Sequence, residues 1–172
     1  MDGSQLIQRV SGVLSNLFRM LSGQSRSSTR QLARDVRPDE PLSSFVFREE
    51  HVQKASNTSH HKRLTPVRKG KHERLEVSLC RSGGLTDSET WDICAEHFDR
   101  FSPKAAFGRC VGPASAVFSA GLVLDADGTP YAEHANIVGW FDAADTPDSE
   151  LKHFWMAQAR LMAPQFVFTP RH

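Results

Sequence analysis

Strand and helix signals alternate from Leu75 onward, and this alternation limits the fold more than any other feature of the chain. Leu75-Glu-Val-Ser-Leu79 alternates apolar and polar residues, the pattern of a half-buried strand. Gly83-Gly84 marks a turn. Thr86-Asp-Ser-Glu89 has the spacing of a capping box, in which the threonine accepts from the glutamate amide and the glutamate reaches back. The helix that follows places Trp91, Cys94, Ala95 and Phe98 on one face. Further strands are predicted over 107–111, 122–124 and 134–141, and an edge strand over 166–168. A short helix is predicted over 113–120 and a longer one over 147–162, with Asp148 and Glu150 near its positive end. The tight turn through Asp127-Gly128 predicts an antiparallel pair. The crossovers through helices predict parallel pairing elsewhere. The expected fold is α+β, or a mixed-sheet α/β domain, with one small sheet of about five strands and two or three packing helices.

Upstream the signals are weaker. Leu6, Ile7, Val10, Val13, Leu14, Leu17, Phe18 and Leu21 recur at helical spacing, so residues 4–21 read as an amphipathic helix capped by Ser4. Residues 22–29 are polar and serine-rich, as in a linker. Pro38 and Pro41 bracket an acidic turn, and residues 43–49 alternate weakly as a short strand. Residues 55–70 lack apolar periodicity and predict an exposed loop. The expected organisation is a helix over 1–22, a linker over 23–42, and one domain over 43–172 with a basic loop at about 55–72.

Val, Ile, Leu and Phe make up about a quarter of the 172 residues, enough for a core. The net charge of +1 conceals a segregation. Residues 1–34 carry five arginines against Asp2 alone. Between residues 51 and 74, seven lysines and arginines face only Glu73, and four of the eight histidines lie there. From residue 75 onward, thirteen acids outnumber seven bases. A basic front part is thus joined to an acidic domain. No apolar run is long enough to span a bilayer. Three cysteines, Cys80, Cys94 and Cys110, make a poor disulfide framework and fit a reducing, cytoplasmic setting.

Lys62, Arg63, Arg68, Lys69, Lys71 and Arg74 form the densest cationic run and are the candidate polyanion-binding residues, since counterion release favours nucleic acid near such a strip. The run holds no aromatic residue, so it offers no stacking platform for bases. Leu6, Val10, Val13, Leu14, Leu17, Phe18 and Leu21 are the candidate partner-binding face, for a protein or a second copy, with membrane-surface contact as the weaker alternative. The candidate catalytic group is His134 with Asn136 on the same strand face and Arg109 on a neighbouring strand to hold an anion. Cys80, Cys94, His97 and Cys110 lack the close-paired spacing of a zinc knuckle, so no metal and no cofactor is expected. Asp125 and Asp127 open like a calcium loop, but its later ligands do not follow.

No motif fixes a reaction. The expectation is a small accessory protein whose basic loop contacts a polyanion or an acidic protein surface and whose N-terminal helix contacts a partner. The alternative is a hydrolase- or transferase-type enzyme built around His134, Asn136 and Arg109.

Overall fold

The strands predicted after Leu75 join earlier ones in a single antiparallel sheet. A computed structural model describes residues 35–66, 74–143 and 146–172, all within the unit Leu32–His172. The helix read over residues 4–21 lies outside the described residues.

The strands are β1 (Pro41–Val46), β2 (Val52–Gln53), β3 (Thr58–Ser59), β4 (Val77–Arg81), β5 (Gly108–Pro113), β6 (Val123–Asp125), β7 (His134–Val138) and β8 (Val167–Pro170). Their order is β2-β3-β8-β5-β1-β4-β7-β6, eight strands rather than about five. Every neighbouring pair is antiparallel, which corrects the expected parallel pairing. The reason lies in what sits between the joined strands. The helices are α1 (His61–Leu64), α2 (Asp87–His97), α3 (Ala114–Ser119) and α4 (Asp148–Met162). The crossover β4–α2–β5 joins strands that run the same way. But β1 is inserted between them and runs against both. The crossovers β5–α3–β6 and β7–α4–β8 likewise join co-directional strands that are not neighbours.

Two further expectations change. The segment 166–168 was read as an edge strand, yet β8 lies between β3 and β5. It can approach closely because β5 carries glycines: a Cβ at Gly112 would sit 2.7 Å from the Phe166 ring. The loop at 55–72 also holds structure, namely β3 and the single turn α1. That turn starts at His60, whose ring nitrogen accepts from the Lys62 amide.

The sheet has a core on each face. On one, Leu42, Val46, Leu79, Cys110 and Ile137 pack against α3, α4 and Leu64. The α4 stripe Leu151, Trp155, Ala159 and Met162 is buried. On the other face, Phe45 and Cys80 pack against Trp91 and Cys94 of α2, with Ala106 and Tyr131. Helix α2 begins at the expected capping box: the Glu89 amide donates to Thr86 Oγ1 at 3.2 Å and the Thr86 amide donates to Glu89 at 2.8 Å. Ala95, expected on its apolar face, is exposed, and Phe98 is half-buried. Arg81 and Glu40 form a buried bidentate ion pair at 2.7 and 3.0 Å, which fixes the entry to β1.

Candidate functional site

Antiparallel strands alternate residues whose backbone groups point to one neighbour and then to the other. Along β1, pairing with β5 runs the whole length from Pro41 to Val46. Pairing with β4 covers only Leu42–Arg81 and Ser43–Cys80. The next hydrogen-bonded rung would join Phe45 to Ser78. Instead the Phe45 carbonyl accepts from Arg63 Nε at 2.7 Å. Arg63, on α1, is thus wedged where the sheet parts.

Beside this parting lies a cleft of about 420 Å³. Its walls are Arg63 and Thr65 from α1 and its exit, Glu76, Val77 and Ser78 from β4, His97 and Phe98 from the end of α2, and Pro130, Tyr131 and His134 from the approach to β7. Arg63 is half-buried, and lost hydration pushes its pKa down. Among the described residues no carboxylate pairs with it, and only its Nε has a protein acceptor. Desolvating a guanidinium without a counter-ion is costly, and an anion supplied from solution would offset that cost.

Three rings stand near it. His134 is buried, with Nδ1 3.4 Å from Asp127 Oδ1. The Asp127 carboxyl is held below its ordinary pKa, chiefly by the Thr129 amide and then by His134. A proton on Nδ1 directed at Asp127 would leave the lone pair on Nε2, the tautomer a general base needs. Tyr131 meets His134 edge-on at 5.3 Å between centroids and stacks on His97 at 4.5 Å. Its hydroxyl donates to the Leu79 carbonyl at 3.3 Å, and burial raises its pKa. His97 Nδ1 is buried with no hydrogen-bond partner. A guanidinium and an oriented imidazole on one cleft can hold an anion and move a proton at it.

The residues singled out in the sequence divide. His134 lines the cleft; Asn136 is not among its lining residues but accepts at 3.0 Å from the hydroxyl of Ser78, which is. Arg109 does not line it: its guanidinium pairs with Asp87 at 2.6 Å, reaches Ser43 at 3.3 Å and lies over the Trp91 ring. Of the cationic run, Lys62 is exposed, Arg63 turns inward, and Arg74 pairs with Asp125 at 2.8 Å. Arg68, Lys69 and Lys71 lie outside the described residues, as does the face Leu6, Val10, Val13, Leu14, Leu17, Phe18 and Leu21. Arg63 was thus expected as a surface contact and Arg109 as the anion holder, whereas it is Arg63 that faces the cleft beside His134. His97 was considered only as a zinc ligand. No local pattern separates Arg63 from Lys62, since both are cations in one polar run.

Beyond Arg63 lies a larger groove of about 990 Å³, lined by Phe47, Arg48, Glu49, His51, Ser102, Pro103, Lys104 and Phe107 together with Arg63 and Phe98. The three cysteines are buried, and burial pushes Cys80 and Cys94 up to about 12 and Cys110 up to about 11, which suits packing rather than nucleophilic attack. Among the described residues no group of three or more His, Cys, Asp or Glu side chains could hold a metal ion, and no helix is long and apolar enough to cross a membrane. Comparison with family models, curated proteins and solved structures finds no match to this chain.

Proposed function

We propose that the protein binds a small anionic ligand, a phosphate or carboxylate, in the cleft lined by Arg63, β4 and the approach to β7. Arg63 is its anchor, and the Asp127–His134 pair handles a proton beside it. The observation that carries this reading is the Arg63 guanidinium, which faces a cleft with no carboxylate partner among the described residues. The pairing of an oriented histidine with that cation supports a hydrolase- or transferase-type reaction at the bound group. Contact of the basic segment with a polyanion draws support from Lys62, which is exposed, but Arg63 and Arg74 are engaged elsewhere. A partner for the N-terminal helix remains a proposal from the sequence.

Calorimetric titration with inorganic phosphate and with acetate tests the cleft reading. A charge-assisted hydrogen bond contributes about 1.5–3 kcal/mol, so Arg63→Gln should weaken binding by roughly tenfold or more. His134→Gln should leave binding within a few-fold. Binding by the wild type that persists undiminished in Arg63→Gln would remove the anchor and with it the reading.

A further inference from the structure

The cleft and the larger groove are not independent. Arg63 and Phe98 line both, so a phosphate held by Arg63 can carry its ring on the groove side. We infer that the ligand is a nucleoside monophosphate or a molecule of the same build, with its phosphate on Arg63 and its planar ring among Phe47, Phe98 and Phe107. This rests on the anion reading of Arg63 and deepens it.

Three observations support that class. The first is the charge of the groove. Among the described residues, Arg48, Arg63 and Lys104 face a single lining acid, Glu49. Glu49 is already held by Lys54 at 2.9 Å, and that lysine keeps its carboxyl below the usual carboxylate range. Arg48 has only a loose exposed contact with Glu50 at 3.7 Å, and Lys104 has no acidic partner among the described residues. The groove therefore favours an anion. The second is the character of its apolar wall. Among the described residues it consists of phenyl rings and Pro103, with no leucine, isoleucine or valine. Flat π faces suit a planar heterocycle, and base–aromatic stacking tolerates any base; a flexible acyl chain would gain nothing specific there. The third is size. A bare phosphate would occupy little of either cavity, whereas a ring attached to it would place apolar surface on Phe107, which is exposed. Ser102 and His51, whose Nδ1 is buried without a partner, stand beside the rings as polar groups.

Isothermal titration of the full chain with inorganic phosphate, with adenosine and uridine monophosphates, and with an octauridylate tests this. The mononucleotides should bind at least about tenfold more tightly than phosphate, the gain expected from one stacked base. Phe107→Ala changes an exposed side chain and should weaken mononucleotide binding several-fold while leaving phosphate affinity unchanged, whereas Lys104→Ala removes a groove cation and should weaken both ligands. Arg63→Gln should weaken both ligands. Mononucleotides that bind no better than phosphate, and indifferently to Phe107, overturn the inference while leaving the anion site standing. Absence of binding by every probe at millimolar concentration overturns both readings. Mononucleotide binding that ignores Arg63 removes the anchor and overturns the shared site. An octauridylate bound more than about tenfold tighter than the mononucleotide overturns the free-ligand form in favour of a strand.

Discussion

Glu40 and Arg81 are both withdrawn from water at the entry to β1, and their bidentate contact is the reason that is tolerable. Removing one charge leaves the other buried and undercompensated. Glu40→Gln should therefore lower stability by about 3 kcal/mol in urea denaturation, with little change in the slope of the transition. A different kind of constraint acts at Gly112, where the partner strand region lies against bare backbone. Gly112→Ala must displace the Phe166 ring, which is fully buried, and should cost about 1–3 kcal/mol by the same measurement. Neither role is visible in sequence. Glu40 reads as one of several acids in a turn, and Gly112 as a glycine beside a proline. The same holds for Arg63: its neighbour Lys62 points to solvent, and only the parting of β1 from β4 explains why Arg63 does not. That His134 and Asn136 share a strand face was legible, because they lie two residues apart on β7. Arg109 was misread because its partner, Asp87, comes from an element whose position only the fold provides.

At the scale of elements, local chemistry carried further. The capping box at Thr86 is read directly from residue spacing, and the helix forms where the box says it should. Thr86→Ala removes the acceptor for the Glu89 amide and should cost about 1 kcal/mol, whereas Thr86→Ser should cost much less; thermal melts of the two variants make the comparison. The stripe Leu151, Trp155, Ala159 and Met162 likewise declares α4 by its period alone. Strand order was not legible. Which strand lies beside which depends on where β1 inserts, and nothing in Pro41–Val46 names its partners. The short strands β2 and β3 were missed for a related reason: two residues carry no period, and their pairing is set by β8 and by each other.

Across the whole molecule the histidines of the front segment set a pH response. His51, His60 and His61 all have lowered pKa values, in each case first by burial. Next in size come Arg63 for His51, Lys62 for His60, and His60 itself for His61. Glu50 opposes the shift at His51 without reversing it, while Arg48 adds to it, and Arg160 of α4 adds to it at His60 and His61. Below their ordinary value of 6.5 the unfolded chain takes up protons that the folded chain resists. Stability should thus be at its full value above about pH 6.5 and fall as the pH is lowered from there toward the depressed folded values. Chemical denaturation at pH 7.5 and pH 5.5 should show the drop, and His51→Gln should reduce it; an equal drop in the variant would assign it elsewhere.

The short seam between β1 and β4 has a mechanical consequence. Leu42 and Ser43 pair across it and the Pro41 carbonyl accepts from the Ser82 amide at its end, while longer ladders bind β1 to β5 and β4 to β7 on either side. The sheet is therefore two leaves on a narrow hinge, and slow opening should begin there, at the foot of Arg63. Amide exchange would register it as earlier loss of protection next to the hinge than within either leaf. A molecule seated on Arg63 would act as a clasp, slowing that exchange without touching the outer strands.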